Sequence, residues 1–275
     1  MTVHQAILYG ENLLQQSSLD QPQWNSERLL LLALHQSRSK LYTELNRELT
    51  ELEFSTFSEL LKKRAEHYPL AYLEGTQEFF GKDFSVSESV LIPRPETEEL
   101  IRAVLALKLK APRILDLGSG SGVIPITLAR EIPDSYAVAL ELSVSAISVL
   151  KRNGSGMAVR ANFSSLCFLP ETFDVITANL PYVEAEDYED LPAETKWEPR
   201  VALLTPSLEE SYERVMQEGI RVLKTGGYMV MEFGFGQAER LKRVCEKEER
   251  IKLLKIKDDQ RGIPRVLILE KLAAG

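Results

Sequence analysis

The sequence predicts an α/β chain in which a small N-terminal helical domain precedes a doubly wound, largely parallel sheet. Three observations carry this expectation. From Met1 to about Glu78 the apolar residues recur at helical spacing, and glycine occurs only at Gly10 and Gly75. Beyond Glu96 helical segments alternate with short apolar runs, which is the pattern of βαβ units. A glycine-rich turn, Asp116 to Gly122, lies between a strand-like run and a helix-like one, where such sheets bind ligands. A length of 275 residues suits one large domain or two unequal ones.

Taken in order, Ser26 before the run Leu29 to Leu34 reads as a helix N-cap. Thr50 with Glu53 reads as a capping box that opens a helix through Leu60, Leu61 and Ala65. The cluster Lys62-Lys63-Arg64 reads as a solvated helix face. Between Phe79 and Pro95, aromatic and β-branched residues are punctuated by Gly81, Ser85, Ser87 and Pro93, which indicates a hairpin and linker. The strand-like runs are Ile114 to Leu117, Ala137 to Leu140, Val175 to Ala178, Tyr228 to Phe233 and Val266 to Leu269. Gly226-Gly227 is expected to close the helix that holds Val215 and Leu223. The implied domains are residues 1–78, helical; 79–95, hairpin and linker; and 96–275, the α/β domain.

Composition narrows the function. With 44% hydrophobic and 27% charged residues the chain can bury a core, which excludes disordered, collagen-like and coiled-coil classes. No apolar run reaches the roughly 18 residues of a membrane span, and the start lacks a signal-peptide pattern, so a cytoplasmic protein without membrane attachment is expected. Cys167 and Cys245 cannot build a disulfide framework, and His4, His35 and His67 have no metal-ligand spacing; no metal is expected. The net charge is -8, and residues 1–78 hold seven basic against eleven acidic residues. Direct nucleic-acid binding is therefore not expected.

The turn Gly118-Ser119-Gly120-Ser121-Gly122 frees the backbone for close approach of a ligand. A dinucleotide fingerprint needs its third glycine one residue later, where Val123 stands. The spacing Asp-x-Gly-x-Gly-x-Gly suits S-adenosylmethionine instead, a ligand with an amino-acid tail and an adenosine. Glu141 ends the next strand-like run, placed to accept hydrogen bonds from both ribose hydroxyls. Asn162 and Phe163 offer an amide for the adenine amino group and a ring for its face, although Phe163 reads equally well as core.

Asn179-Leu180-Pro181-Tyr182 directly follows the run ending at Ala178, at the same sheet edge as the glycine turn. An amide nitrogen is a poor nucleophile because its lone pair is delocalised, and its two hydrogens need acceptors as it reacts. The Asn179 side-chain oxygen and the Leu180 carbonyl can each accept one. Pro181 biases Leu180 towards an extended conformation, and the Tyr182 ring can wall a flat group.

The chain resembles the protein N5-glutamine methyltransferases that modify peptide-chain release factors (PrmC/HemK type). The resemblance covers nearly its whole length. It rests on Leu91-Ile92-Pro93-Arg94-Pro95-Glu96-Thr97-Glu98, on Ile114 to Gly122, on Asn179 to Tyr182 followed by Trp197-Glu198-Pro199, and on Pro69-Leu70-Ala71-Tyr72-Leu73. It implies a Rossmann-like S-adenosylmethionine-dependent methyltransferase sheet of seven strands, the last antiparallel. The small N-terminal helical domain would recognise the protein substrate. By position, Gly118, Ser119, Gly120, Ser121, Gly122, Glu141, Phe163 and Asn179 would contact the cofactor, and Asn179, Leu180, Pro181 and Tyr182 would hold the glutamine amide of the release factor's Gly-Gly-Gln motif. A monomer is expected. Three residues depart from the family pattern: Leu180 for a first proline, Glu141 for Asp, and Asn162 for the Asp before the aromatic residue.

Two other enzymes would use the same loop. One is a glutamine methyltransferase for a ribosomal protein, and the other an adenine-N6 methyltransferase for DNA or RNA. A flipped base calls for a basic approach surface, whereas residues beyond Glu78 hold 26 basic against 30 acidic residues. A regulatory protein that binds the cofactor without catalysis has no use for Asn179 and Tyr182.

Overall fold

The computed structural model describes residues 1–154, 156–164 and 166–273. The chain divides into two compact units, Met1–Gly75 with Pro192–Trp197, and Thr76–Leu191 with Glu198–Gly275. The expected boundary at Glu78 falls inside the first strand of the second unit.

The first unit holds α1 (Val3–Gln16), α2 (Pro22–Leu34), α3 (Arg38–Thr43), α4 (Glu51–Ala65) and α5 (Leu70–Glu74). Capping boxes Thr2/Gln5 and Thr50/Glu53 start α1 and α4, so the second box forms where the sequence places it. Leu14, Leu29, Leu30, Leu41, Phe57 and Leu61 fill the core between the helices. Ser26 does not cap. Pro22 supplies the first turn of α2, where its missing N–H is no loss, and Ser26 lies one turn further on, buried, with Oγ donating to the Ile7 carbonyl at 2.8 Å. Gly10 makes room for it: a Cβ there would stand 2.3 Å from Ser26 Oγ and 2.9 Å from Phe57 Cζ.

The basic cluster on α4 also differs from expectation. Lys62 and Lys63 are exposed, but Arg64 is 4% exposed. Its Nε donates to Asn25 Oδ1 at 2.7 Å, Nη1 to the Tyr68 carbonyl, and Nη2 to Glu194 Oε1 at 2.6 Å. Glu194 belongs to the distant segment Pro192–Trp197, whose Trp197 ring packs edge-on against Tyr68 and donates to the Glu66 carbonyl. Nothing local in the sequence signals this partner 130 residues away.

The second unit opens with a hairpin, β1 (Thr76–Phe79) and β2 (Lys82–Ser85), followed by α6 (Glu98–Ala106). Then come β3 (Arg113–Leu117), α7 (Val123–Glu131), β4 (Tyr136–Glu141), α8 (Val144–Asn153), β5 (Met157–Arg160), β6 (Phe173–Asn179), α9 (Arg200–Leu203) and α10 (Leu208–Val222). The chain finishes with β7 (Leu223–Glu232), α11 (Ala238–Glu246), β8 (Ile251–Asp258) and β9 (Pro264–Lys271). The seven-stranded order is β5-β4-β3-β6-β7-β9-β8, and only β9 runs antiparallel to its neighbours. Adjacent residues go to opposite faces as the strand period demands: Leu115 and Ile176 join a core with α10 and α11, while Ile114 and Val175 join one with α6 and α7.

Every predicted apolar run is a strand. β5 and β8 escape that criterion because they are the sheet edges, with half-exposed and lysine-rich faces. Gly226 and Gly227 are not a helix stop, since α10 already ends at Val222. Both lie in β7, where the pairing to β6 jumps from Phe173↔Leu223 to Val175↔Tyr228. A Cβ on Gly227 would stand 2.9 Å from the Asp174 carbonyl. Among the described residues no helix is long and apolar enough to cross a membrane.

The α1–α2 contact yields a stability expectation. Gly10→Ala should lower the stability of the helical unit by about 1–3 kcal/mol, because the new methyl forces Ser26 and Phe57 apart. Urea denaturation followed by circular dichroism reads this, and an unchanged midpoint would mean that the two helices can separate freely.

Candidate functional site

β3 and β6 pair in parallel with Asp116 opposite Thr177 and Leu117 opposite Ala178. The residues that follow, Gly118 and Asn179, therefore stand side by side at the carboxyl edge of the sheet. A cavity of about 690 Å³ opens there, lined by Gly118 to Ser121, Glu141, Asn162, Phe163 and Asn179 to Pro181, together with Arg94, Thr97 and residues of α9 and α10.

The three glycines of the turn serve different ends. A Cβ on Gly118 would stand 3.1 Å from Leu180 Cδ2, so its absence lets the two loops close on each other. Gly120 has φ +54° with open space where a Cβ would be, at the cavity wall. Gly122 does not line the cavity. It precedes α7 with φ +83°, and a Cβ there would stand 2.9 Å from Ile126 Cδ1 and Leu150 Cγ, so helix packing demands it. The Gly118 and Ser119 N–H groups both donate to the Leu140 carbonyl, which ties the turn to β4.

Glu141 lines the cavity, but its carboxylate is engaged with the backbone. Oε2 accepts from Gly120 N–H at 2.9 Å, and Oε1 from Leu142 and Ser143 N–H at 2.7 and 2.8 Å. The extra methylene over Asp is the reach that spans to the glycine turn. Phe163 is half-buried, at once packed on the core and lining the cavity. The Asn162 side-chain oxygen accepts from Ser164 N–H and Oγ, which folds its own loop.

Asn179 directs its amide nitrogen to Thr97 Oγ at 3.1 Å. Leu180 buries its side chain to 3% exposure beneath Gly118, which accounts for an apolar residue there. Tyr182 is half-buried and is not among the cavity-lining residues. A Cβ on Gly234 would stand 2.8 Å from its ring, and its carbonyl accepts from Gln237 Nε2 at 2.7 Å. Burial, and then the nearby Glu232, push its phenol up to about 12, so it stays a neutral O–H donor at neutral pH.

Three acidic groups and one threonine carry more of the site than sequence reasoning assigned them. Glu198 is buried, holds Arg94 in an ion pair and accepts from Ile92 N–H at 2.9 Å. The quoted stretch Leu91 to Glu98 is thus a back wall: Ile92 and Arg94 bind Glu198, Thr97 binds Asn179, and Glu98 accepts from Phe80 N–H. Asp116 is fully buried; Thr177 donates to its Oδ1 at 2.7 Å, and Oδ2 finds no partner among the described residues. Burial pushes its carboxyl up to about 7, against the Ser119 and Thr177 hydrogen bonds. Its position as the first letter of the glycine motif was the available signal. Glu232 is the fourth such residue, also buried and pushed up to about 7, mainly by burial. Among the described residues no cluster of His, Cys, Asp and Glu could hold a metal ion.

Two expectations follow. Because the folded chain holds the Asp116 proton more tightly than the ordinary value of 3.8 allows, its contribution to stability falls as pH rises from 3.8 towards 7. Asp116→Asn, compared with the parent by urea denaturation across pH, should be relatively more stable above pH 7 than below pH 4, and a pH-independent difference would contradict the buried-acid reading. The glycines should also separate: Gly122→Ala should lower stability by about 1–3 kcal/mol through overpacking at Leu150, whereas Gly120→Leu, strained by its φ of +54° but free of packing clashes, should lower ligand affinity in calorimetry beyond its cost in stability.

Comparison with known proteins bears on this geometry. Residues 5–75 match the PrmC N-terminal domain, and residues 108–268 match a methyltransferase domain. The release factor glutamine methyltransferase of Koribacter versatilis is 34% identical over 280 residues, covering 98% of this chain and 99% of that one. That of Bacillus cereus is 32% identical over 90% and 91% of the two chains. Among solved structures, a methyltransferase from Pyrococcus furiosus shares the fold with a TM-score of 0.52 at 17% identity, over 71% of this chain and 91% of that one. With near full-length similarity in both units, and with Gly118 to Ser121 and Asn179 to Pro181 on one cavity, the chain belongs to the release factor glutamine methyltransferase family.

Proposed function

We propose that this chain transfers a methyl group from S-adenosylmethionine to the side-chain amide nitrogen of the glutamine in the Gly-Gly-Gln motif of peptide-chain release factors. One observation carries the reading: Asn179, Leu180 and Pro181 line the same cavity as Gly118 to Ser121. A cofactor held by the glycine turn and an amide held by the loop would therefore share one cavity. The relatives described above are named release factor glutamine methyltransferases, which supports this reading.

The residues present fit the cofactor. Gly120 leaves space at the wall, Phe163 offers a ring face, and Glu141 an acidic side chain for a diol. Gly122 supports the turn from behind by packing. When bound, S-adenosylmethionine supplies an electrophilic methyl group. The protein contributes orientation and hydrogen-bond acceptors, and holding reactants in near-attack geometry is worth roughly 7–11 kcal/mol.

Asn179 is the principal acceptor. With its nitrogen committed to Thr97, its oxygen is the end left for the substrate amide. The Leu180 carbonyl is the second acceptor. Pro181 stiffens the loop, while Tyr182 anchors it through Gln237 and so acts from its rear. Arg94, held by Glu198 in an ion pair, gives the cavity wall fixed N–H donors. We assign substrate recognition to the helical domain and expect a monomer acting in the cytoplasm without direct nucleic-acid binding, in keeping with the acidic balance of both halves.

Labelled-methyl transfer with a release factor, a ribosomal protein, DNA and RNA offered side by side tests the reading, and preference for any of the last three would overturn it. Asn179→Ala should lower turnover at saturating cofactor by about 10²–10³ while calorimetry shows cofactor affinity nearly retained. A loss below about tenfold would assign the loop a structural role instead.

A further inference from the structure

The cavity wall holds a guanidinium that methyl transfer itself does not call for. Arg94 lines the cavity together with Asn179 and Pro181. It stands one turn from the amide loop: Thr97 N–H donates to the Arg94 carbonyl at 3.1 Å, and Asn179 Nδ2 donates to Thr97 Oγ at 3.1 Å. The Arg94 backbone is extended, with φ −102° and ψ +144°, the conformation that the following Pro95 favours. Its side chain is aimed as well. Nη2 donates to Glu198 Oε1, while Glu198 Oε2 accepts from Ile92 N–H at 2.9 Å, so a single carboxylate ties both ends of the stretch Ile92 to Arg94. The Glu198 side chain is 2% exposed and that of Arg94 30%, which buries the acid and leaves part of the guanidinium at the cavity.

A guanidinium carries five N–H groups in a rigid fork. Nε and Nη1 of Arg94 have no hydrogen-bond partner among the described residues. Its charge, in contrast, is already met by Glu198. The pair is neutral as a whole, and a fixed set of N–H donors without net charge suits neutral carbonyl oxygens better than a free carboxylate. An extended glycine segment is a ligand of that kind. Having no side chains, it can be recognised only through its carbonyl and N–H groups, and it lets another chain come close to them.

We propose that Arg94 is a specificity-determining residue that donates hydrogen bonds to the backbone carbonyl oxygens of the two glycines preceding the target glutamine, and that Glu198 is the positioning residue that aims it. The proposal rests on the functional reading above and adds a contact to it. A glutamine whose amide reaches Asn179 has its main chain one side-chain length away, and Arg94, one turn from Thr97, carries its donors on a side chain of similar reach. Glu198 acts through Arg94 alone, because its burial and its bond to Ile92 N–H fix where the fork points. A residue with a side chain in place of either glycine would hold the two partners apart.

Kinetics of the full chain on an intact release factor test this. Arg94→Lys keeps a cation for Glu198 but loses the fork. Arg94→Met combined with Glu198→Gln removes both charges together, so that no buried carboxylate is left unpaired. Each should raise the KM for the factor by about tenfold or more, with kcat within about threefold and cofactor affinity in calorimetry within about twofold. Weakened cofactor binding with an unchanged KM for the factor would place Arg94 on the cofactor's carboxylate and overturn the proposal. Changing the substrate separates a contact from a merely structural role: a factor assembled by chemical ligation with a thioamide at one glycine offers a weaker acceptor at that carbonyl. At one glycine at least, the parent should lose about fivefold or more in kcat/KM, whereas the doubly substituted enzyme should lose nothing beyond its own deficit. Losses that simply add at both glycines, in a parent that methylates the factor, would refute the contact and leave the functional reading standing. A parent that does not methylate the factor would refute both.

Discussion

The in-register parallel pairing of β3 with β6 is the constraint from which the site follows. Because Leu117 stands opposite Ala178, the two chains leave the sheet at the same height, and the glycine turn and the Asn179 loop have nowhere to go but alongside each other. Thr177 ties the pair together across the strands through Asp116. Gly118, at φ +69°, then admits the Leu180 side chain to 3.1 Å from where a Cβ would stand, a tight approach for any residue with a side chain. A slip of one residue would send every side chain of β6 to the opposite face and remove Thr177 from Asp116.

β6 is flanked on both sides by a buried acid. Asp116 on β3 has one carboxylate oxygen held by the Thr177 hydroxyl, and it and Glu232 on β7 each have one carboxylate oxygen without a partner among the described residues. Burial pushes both carboxyls up to about 7. Such groups lower stability, and both stand at the same sheet edge as the cavity. The ion pairs elsewhere, such as Arg240 with Glu184 and Glu209, are partly exposed and contribute little by comparison. They do serve geometry, because Glu184 lies two residues after Tyr182 and anchors the outgoing chain.

The stretch from Leu91 to Glu98 shows how a linker becomes part of a site. It contributes a backbone N–H and a guanidinium to Glu198, a hydroxyl to Asn179, and a carboxylate to Phe80. Its prolines at Pro93 and Pro95 hold it extended until the helical turn that starts α6, so these contacts are made by a pre-set backbone. Segment Pro192–Trp197 plays a related part in the helical unit, where Arg64 would otherwise be a buried charge without a counter-ion.

Local physics made much of this chain legible before folding. Apolar period distinguishes helices from strands, the Thr50–Glu53 spacing is a cap in any context, and buried strands declare themselves as apolar runs. The glycine turn and Asn179 loop are read the same way, because close approach and amide chemistry restrict which residues can serve. The edges β5 and β8, the burial of Arg64, the inward turn of Ser26 and the bulge at Gly226-Gly227 were not legible, since each depends on a partner remote in sequence. The same holds within the site. Residue type marks Gly122 and Tyr182 as candidates, but only packing shows that Gly122 makes room for Leu150 and that Tyr182 backs the loop against Gly234. What the sequence by itself determined is the set of elements and the chemistry that the two loops can perform. Tertiary structure alone decided which acids are buried beside them and which way the Asn179 amide faces, because burial and hydrogen-bond direction belong to pairs of residues that only the folded sheet brings together.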